Sequence, residues 1–290
     1  MTEPYRPQAY WEERLSGNLG LTTVGHSGLG RAYNEWLYRA RFRAMRRALR
    51  AAGVEVRNKS LVEVGVGSGA WIPFWQSRGV AHLTGLDITS VSVRTLQDRY
   101  PGFAFEQVDI GGPLPRGLEA RADLVTAFDV LFHITDDAAF AQAIANLADL
   151  LKPGGYAILS DGFADTPWGP TYHEYHRSYG QYRAEMEKHR LKHVHVEPIF
   201  FTMTTTLAGG DQPRVRWFAR ISSANLKVVA TLAAHRVTAP ANYVVGLVAY
   251  TMDGILCRIG QRRRRPQRGG CPRLQGGGGP SLNILIARKE

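Results

Sequence analysis

The fold class of this chain is decided by one stretch, Leu61-Val-Glu-Val-Gly-Val-Gly-Ser-Gly-Ala-Trp71. An apolar run typical of a strand ends in glycines at alternate positions, and an amphipathic stretch follows. Glycines at a strand-to-helix turn let a ligand approach the backbone and meet helix N–H groups that carry partial positive charge. The stretch therefore predicts a βα unit with a ligand-binding turn. Because Gly65-x-Gly67-x-x-Ala70 also satisfies a loose dinucleotide fingerprint, a nicotinamide-dependent dehydrogenase stays open at this point.

The segments that follow alternate apolar runs with amphipathic stretches, which predicts strands separated by helices. The predicted strands are 61–65, 83–87, 103–109, 123–128 and 156–160, and the predicted helices are 71–78, 90–100 and 136–151. Strands and helices of this length form right-handed βαβ units. The expected fold class is α/β, a three-layer sandwich with a mostly parallel, doubly wound, Rossmann-like sheet.

Additional segments flank this core. We predict an N-terminal helical cap or lid over 1–60 with a long helix at 30–52, a core over 61–206, an insertion over 207–280 and a final core strand in 281–290. A helix is also predicted over 172–189, and a strand over 193–206. Within the insertion, Tyr243–Ile259 predicts an amphipathic helix that either covers the core or lies on an anionic membrane surface, and an Arg/Gly-rich loop follows over 261–280.

Composition narrows the classes of partner. The formal net charge of +11 is uneven, because residues 212–290 carry 14 basic and 2 acidic groups whereas the middle of the chain is acidic. The basic end lacks interleaved aromatic residues, which favours a small-molecule acceptor over nucleic acid, with peripheral membrane contact through 243–265 as an alternative. Two cysteines, Cys257 and Cys271, and no apolar signal segment predict a cytoplasmic protein without a structural disulfide or metal site.

Further residues give the glycine turn a more specific meaning. Glu63 lies two residues before the first glycine, Asp87 and Asp109 follow the second and third predicted strands, and Leu151-Lys-Pro-Gly-Gly155 precedes the fifth. In this order the set resembles the class I S-adenosylmethionine-dependent methyltransferases, over roughly residues 61–161. The resemblance implies that S-adenosyl-L-methionine is the cofactor.

The resemblance also implies which residues hold that cofactor. The turn would hold the methionine moiety, Asp87 would bond both ribose hydroxyls, and Asp109 would accept from the adenine amino group. Ile88 and Ile110 are then the expected apolar walls of the adenine site, and Phe128 is expected to border the methyl donor. The full expected cofactor set is Glu63, Gly65, Gly67, Gly69, Asp87, Ile88, Asp109, Ile110 and Phe128.

Methyl transfer to a hydroxyl benefits from a base within hydrogen-bond reach, most often a histidine. His133 directly follows the fourth predicted strand and is the first candidate for the base, and a purely structural role for it stays open. His176 and His26 are further candidates, the latter in a glycine-rich loop that would close over the cofactor. Aromatic faces suit a flat or cationic acceptor, so the expected acceptor contacts are Tyr33, Tyr172, His173 and Tyr175.

These observations predict an enzyme that methylates a small organic molecule, with oxygen as the favoured atom and secondary metabolism as the setting. Two alternatives stay open. One is a membrane-peripheral methyltransferase that acts on a lipid or a quinone. The other is a member of the same fold that catalyses a different reaction or acts on nucleic acid.

Overall fold

The computed structural model describes residues 4–163, 166–204, 213–234, 239–262 and 282–290. Most of the predicted Arg/Gly-rich loop lies outside these residues. Within them, every predicted strand of the core is present, with bounds that differ by a few residues.

One seven-stranded sheet organises the chain, with the strand order β3-β2-β1-β4-β5-β7-β6. All neighbours from β3 to β5 pair in parallel, whereas β7 is antiparallel to both β5 and β6. This arrangement confirms the predicted mostly parallel, doubly wound sheet. The strands are β1 Ser60–Val64, β2 His82–Asp87, β3 Ala104–Gln107, β4 Ala122–Ala127, β5 Leu151–Asp161, β6 Leu191–Phe200 and β7 Leu282–Lys289.

Helices cover both faces of the sheet. They are α1 Pro7–Gly17, α2 Leu21–Val24, α3 Gly30–Ala52, α4 Ile72–Ser77, α5 Ser90–Arg99, α6 Asp137–Leu150, α7 Tyr179–Lys188, α8 Pro213–Ala234 and α9 Ala239–Arg262. Side chains of successive strand residues point to opposite faces. Thus Leu61 joins the buried cluster under α3 and α4, while Val62 joins the buried cluster under α6 and α7. The predicted three-layer sandwich is therefore present.

The strand order reverses between β1 and β4, because β2 follows β1 on one side and β5 follows β4 on the other. In open α/β sheets, ligands bind beyond the carboxyl ends of the strands at such a reversal. The turn after β1 and the residues after β4 lie at this point, so the topology places the candidate site there.

The predicted helix over 172–189 is wrong in its first half. The helix begins only at Tyr179, because Ser178 caps it: the Ser178 hydroxyl accepts from the Gln181 backbone N–H, and the Gln181 side chain accepts from the Ser178 backbone N–H. Residues 166–177 instead form turns with a short bridge between Trp168 and His176. The predicted strand at 193–206 begins two residues earlier and ends at Phe200, and 205–206 lie outside the described residues.

Three of the described helices were not predicted individually: α1 and the four-residue α2 near the N-terminus, and α8 between β6 and β7. The division of the chain into cap, core and insertion stays a prediction. The predicted long helix at 30–52 has those bounds as α3, and the predicted helix over 243–259 is part of the longer α9. None of the described helices combines the length and the apolar composition needed to cross a membrane.

Candidate functional site

A cavity of about 260 Å³ lies at the carboxyl ends of the central strands. The turn after β1 forms one wall, and the ends of β2 and β3 form the second. The segment after β4 forms the third, and α1 closes the cavity from above. The lining includes most of the residues expected to hold the cofactor, namely Gly65, Gly67, Asp87, Ile88, Asp109, Ile110 and Phe128, together with His133.

The turn after β1 requires glycine at its first position. Gly65 has a φ of 68°, and a Cβ there would lie 2.2 Å from Cγ2 of Val130. At Gly69, with a φ of 74°, a Cβ would lie 2.7 Å from Leu96. An L side chain at these positions would combine backbone strain with a clash. The two glycines therefore keep the turn tight against the residues after β4 and against α5.

Asp87 fixes this turn to the end of β2. Its Oδ2 accepts from the Gly67 backbone N–H at 2.8 Å, and its Oδ1 accepts from the Thr89 N–H and hydroxyl at 2.9 and 2.7 Å. Asp87 is only 4% exposed, and burial raises the pKa of its carboxyl despite these donors. The carboxyl group thus supports the turn and at the same time lines the cavity.

Glu63 lies behind the turn rather than in the cavity lining. Its Oε2 accepts from Nε1 of Trp75 at 3.1 Å, and the residue is 2% exposed. Burial away from water disfavours the ionised carboxylate and raises the pKa of Glu63 to about 8. The Glu63 side chain therefore lies next to the expected methionine site. Its hydrogen bond to Trp75 supports α4, the helix that follows the turn.

The far end of the cavity combines one carboxylate with apolar walls. Asp109 accepts from the Gly111 backbone N–H at 2.9 Å, and Ile88 and Ile110 line the cavity beside it. Near β4, the Phe128 ring stacks on Trp71 with centroids 4.2 Å apart. These residues form an apolar slot with a hydrogen-bond acceptor at its edge.

The residues present fit S-adenosylmethionine. The Ser68 hydroxyl lines the cavity and is buried without a hydrogen-bond partner in the part of the chain that the structure describes, so it is free to bond a ligand. Carboxylates at Asp87 and Asp109 suit ribose hydroxyls and an adenine amino group, and the apolar slot suits a purine ring. These are the contacts that the resemblance implies.

His133 enters the cavity from the short 3-10 turn Leu131–His133 after β4. Its Nδ1 lies 2.9 Å from the carbonyl oxygen of His173, and its ring packs edge-on against Trp11 at 4.8 Å. A carbonyl oxygen only accepts, so this contact places the proton on Nδ1 and leaves the lone pair on Nε2. Burial lowers the pKa of His133 to about 4, which keeps the imidazole neutral at physiological pH.

One group of side chains beside His133 has the spacing of metal ligands. His133, His173 and Glu174 each offer a ligand atom within 4.8 Å of the others, and Nε2 of His173 lies 3.6 Å from Oε1 of Glu174. Two imidazoles and a carboxylate are suitable ligands for zinc or other transition metals. Since the sequence predicts no metal, this group is a feature that only the structure brings together.

Several expected site residues lie elsewhere. His176 is buried against Asp161, with Nδ1 and Oδ1 2.5 Å apart, and is absent from the cavity lining. His26 is exposed in the loop before α3, where its backbone bonds to the Asn34 side chain. Tyr33 is fully buried in the core, where its hydroxyl donates to the Met203 carbonyl. These positions suit structural roles better than contact with an acceptor.

The expected aromatic contacts after β5 lie at the rim instead of in the lining. Tyr172 is exposed and packs edge-on against Tyr5 of the N-terminal segment, with centroids 5.5 Å apart. The His173 ring stacks on His133 at 5.6 Å, and the Arg177 guanidinium lies over the Tyr175 ring. The segment therefore supports the cavity through His133 and α1.

Sequence reasoning missed the lining residues from the N-terminal region. Tyr5 and Trp11 of the first seventeen residues line the cavity, and so does Tyr38 of α3. The signal that could have identified them is the run Pro4-Tyr-Arg-Pro-Gln-Ala-Tyr-Trp11, because Pro7 at the first helical position predicts a helix start and the aromatic residues gather on that helix. Asp129 also lines the cavity and pairs with Arg41 of α3 at 2.7 Å.

Comparison with known proteins agrees with this geometry. The sequence model of a methyltransferase domain family matches residues 34–200, which is more than half of the chain. Ubiquinone biosynthesis O-methyltransferases from Paracidovorax citrulli and Albidiferax ferrireducens are 28% and 27% identical over 110 residues, or 36% of this chain. Those matches cover 44% and 42% of the relatives, so the chain spans less than half of their length.

Among solved structures, an S-adenosylmethionine-dependent methyltransferase from Mesorhizobium loti is similar at a TM-score of 0.49 and 18% identity, over 85% of this chain and 98% of that one. The extent of the family match and the cavity at the switch point of the sheet lead to the same conclusion. The chain therefore belongs to the methyltransferase domain family.

Proposed function

We propose that the chain transfers a methyl group from S-adenosylmethionine to a hydroxyl oxygen of a small organic acceptor, with His133 as the general base. The observation that carries this proposal is that His133 shares one cavity with the glycine turn, Asp87 and Asp109. When bound, the cofactor supplies an electrophilic methyl carbon on a sulfonium. The residues of the chain have to align the acceptor, exclude water and take up the proton.

His133 is equipped to receive that proton. The carbonyl of His173 holds the proton of the ring on Nδ1, so Nε2 is the atom that accepts from an acceptor hydroxyl. With a pKa of about 4 the ring is unprotonated at neutral pH, as a base must be before the transfer, but a pKa so far below neutrality also makes it a weak base. The edge-on ring of Trp11 and the stacked ring of His173 fix the orientation of the imidazole.

The acceptor side of the cavity is aromatic. Tyr5 and Trp11 cover the opening above His133, and burial raises the pKa of Tyr5 to about 12, so its phenol stays protonated. Rigid aromatic faces favour a flat acceptor and exclude water from it. A hydroxylated aromatic ring is therefore the acceptor class that suits this side best.

The relatives support oxygen as the methylated atom, because both are named ubiquinone biosynthesis O-methyltransferases. Their name also favours the second candidate, a lipid or quinone acceptor reached at a membrane. The structural observation for that candidate is an apolar face of α9 that is exposed to solvent.

The test compares His133→Gln with His82→Gln, an exposed histidine at the start of β2. Formation of S-adenosylhomocysteine is measured over a panel of hydroxylated aromatic compounds, with matched amines as a second panel. We expect His133→Gln to lower kcat about 100-fold or more, since a positioned base contributes roughly 10²–10⁴, and to leave cofactor affinity unchanged. The control variant is expected to behave like the wild type.

Four results would contradict the proposal. Equal kcat in wild type and His133→Gln would remove the residue from the reaction. Turnover of amines but not of hydroxyls would exclude O-methylation, and cofactor binding without turnover of any compound would favour the non-methylating alternative. Loss of wild-type activity in a chelator would assign His133 to a metal with His173 and Glu174 instead of to proton transfer.

A further inference from the structure

Helix α9 has two contrasting faces, of which the described residues of the chain cover only one. The covered face carries small or polar residues at helical spacing, Asn242, Gly246, Ala249, Asp253, Gly254 and Cys257. The opposite face carries large apolar side chains that are 42–56% exposed, namely Val244, Leu247, Val248, Met252 and Ile255. We call these five residues the α9 stripe. A soluble helix ordinarily turns such residues toward the core and polar ones toward solvent.

The packing of α9 prevents the helix from rotating to hide this stripe. At Gly246 a Cβ would lie 2.4 Å from the Trp36 ring, so the helix backbone rests directly on α3. Asp253 is buried, and its carboxylate accepts from the Phe201 and Thr202 backbone N–H groups at 2.9 Å each. Rotation would break these bonds and leave a carboxylate without donors in the core. The exposed stripe is therefore a fixed feature of the fold.

Positive charge continues the stripe along the chain. Arg258 is exposed one turn beyond Ile255, and α9 ends at Arg262, the first of four consecutive arginines. The sequence contains no aspartate or glutamate from 254 to 289. An exposed apolar helix face that is followed in sequence by a cluster of arginines suits an anionic bilayer surface, which offers acyl chains to the stripe and lipid phosphates to the positive charge.

We propose that the α9 stripe and the adjacent arginines dock this protein onto an anionic lipid bilayer, with α9 parallel to the surface. Charge decides between this occupant and a second copy of the chain. A second copy carries the same positive charge and so offers nothing to neutralise the arginines that follow the stripe in sequence, whereas anionic lipid does. The inference does not depend on the proposed methyl transfer, because docking requires neither cofactor nor acceptor.

Flotation of the full chain with phosphatidylcholine vesicles, with and without 30% phosphatidylglycerol, tests the proposal. The fraction of wild-type protein that floats is expected to be at least tenfold larger with the anionic vesicles than with the neutral ones. Addition of 0.5 M salt is expected to release part of the bound protein. Leu247→Asp combined with Ile255→Asp is expected to lower the floated fraction at least tenfold. Val194→Asp, at an exposed valine of β6, serves as the matched control and keeps wild-type binding.

Wild type that stays unbound to anionic vesicles at low salt would overturn the proposal, whatever the variants do. Equal flotation of the double variant and the control would also overturn it. A concentration-dependent dimer in solution that the double variant abolishes, without vesicle binding, would assign the stripe to a second copy instead. Circular dichroism of each variant confirms that a loss of binding does not come from unfolding.

Discussion

Burial keeps two ionisable residues near the cavity neutral, one an acid and one a base. Glu63 is protonated at neutral pH because desolvation raises its pKa to about 8, and His133 is unprotonated because desolvation lowers its pKa to about 4. Both shifts follow from the cost of placing a charge away from water. Each therefore links the stability of the protein to pH, in a different pH range.

For Glu63 the folded pKa lies above the value of 4.5 for an unperturbed glutamate. The unfolded state then releases more protons between pH 4.5 and about 8, so stability is lost as pH rises through this range. Without cofactor, we expect Glu63→Gln to remove this loss and to be more stable than wild type at pH 9, by on the order of a few kcal/mol. Urea unfolding at pH 5 and pH 9 measures the difference in unfolding free energy between wild type and Glu63→Gln. The exposed Glu55→Gln is the control. A stability gap between wild type and Glu63→Gln that is the same at both pH values would refute the shift.

For His133 the folded pKa lies below the unperturbed value of 6.5. The unfolded state binds more protons between pH 6.5 and about 4, so this contribution to stability is full above pH 6.5 and is lost as pH falls. We expect urea unfolding of His133→Gln to depend less on pH than that of the wild type between pH 5 and 7. If the two proteins lose stability in parallel, the imidazole is not buried as described.

The positions of individual site residues could be predicted when the sheet itself fixes them. Asp87 and Asp109 follow strands that end at the switch point, so spacing along the chain was enough to place them at the cavity. His176 and Tyr33 were misplaced because their positions depend on tertiary contacts, a buried Asp161 in one case and α8 in the other. No local pattern in the sequence records such contacts.

Among the elements, the turn after β1 depends for its stability on the close approach of Val130 to Gly65 as well as on the backbone conformation of the glycine. Gly65 and Gly53 have nearly the same φ, 68° and 65°, but a Cβ would meet Val130 at the first and nothing within 4 Å at the second. We expect Gly53→Ala to cost about 1–2 kcal/mol of stability through strain alone. Gly65→Ala should cost about 2–5 kcal/mol, because overpacking adds to the strain.

Urea unfolding measures both glycine variants. The double variant Gly65→Ala, Val130→Ala is expected to recover part of the loss at Gly65, since it removes the clashing methyl group. Equal costs at the two glycines would show that the turn needs only the left-handed conformation and not the close contact.

The Glu12 side chain ties helix α1, which covers the cavity, to the start of α5. Glu12 accepts from the Ser90 and Val91 backbone N–H groups at 2.7 and 3.0 Å, so it caps the start of α5 from another element. We expect Glu12→Ala to release α1 and to accelerate amide hydrogen exchange across 7–17, because the lid loses its charged hydrogen bonds. Glu13→Ala, one residue on and exposed, should leave exchange unchanged. Unchanged exchange in Glu12→Ala as well would mean that aromatic packing alone holds α1.

The sequence predicted the elements of the core more reliably than the elements that cover it. Between residues 61 and 161, apolar runs and glycine or proline breaks alternate in a regular order, and the structure follows that order. Residues 172–177 were predicted as the start of a helix, whereas contacts with Phe132 after β4 and with Tyr5 before α1 set their positions. Packing overrides local preference in such segments.

In the whole molecule, the uneven charge of the sequence separates the cavity from the exposed face of α9. The acidic middle of the chain builds the cofactor side, where carboxylates line the cavity, and the basic end carries the exposed face of α9. Helices α8 and α9 lie between β6 and β7 along the chain, and the two strands are still neighbours in the sheet. Cofactor binding and surface docking can therefore be tested separately on the same protein.

Isothermal titration of S-adenosylhomocysteine into wild type and Asp87→Ala tests the central claim, which is that the cavity beside Asp87 is the cofactor site. Wild type is expected to bind one molecule per chain, and Asp87→Ala to bind about 10- to 100-fold more weakly, since loss of charged hydrogen bonds costs roughly 1–3 kcal/mol. The exposed Asp98→Ala of α5 is expected to bind like wild type. No binding to wild type at millimolar ligand, or equal affinity in wild type and Asp87→Ala, would contradict the account.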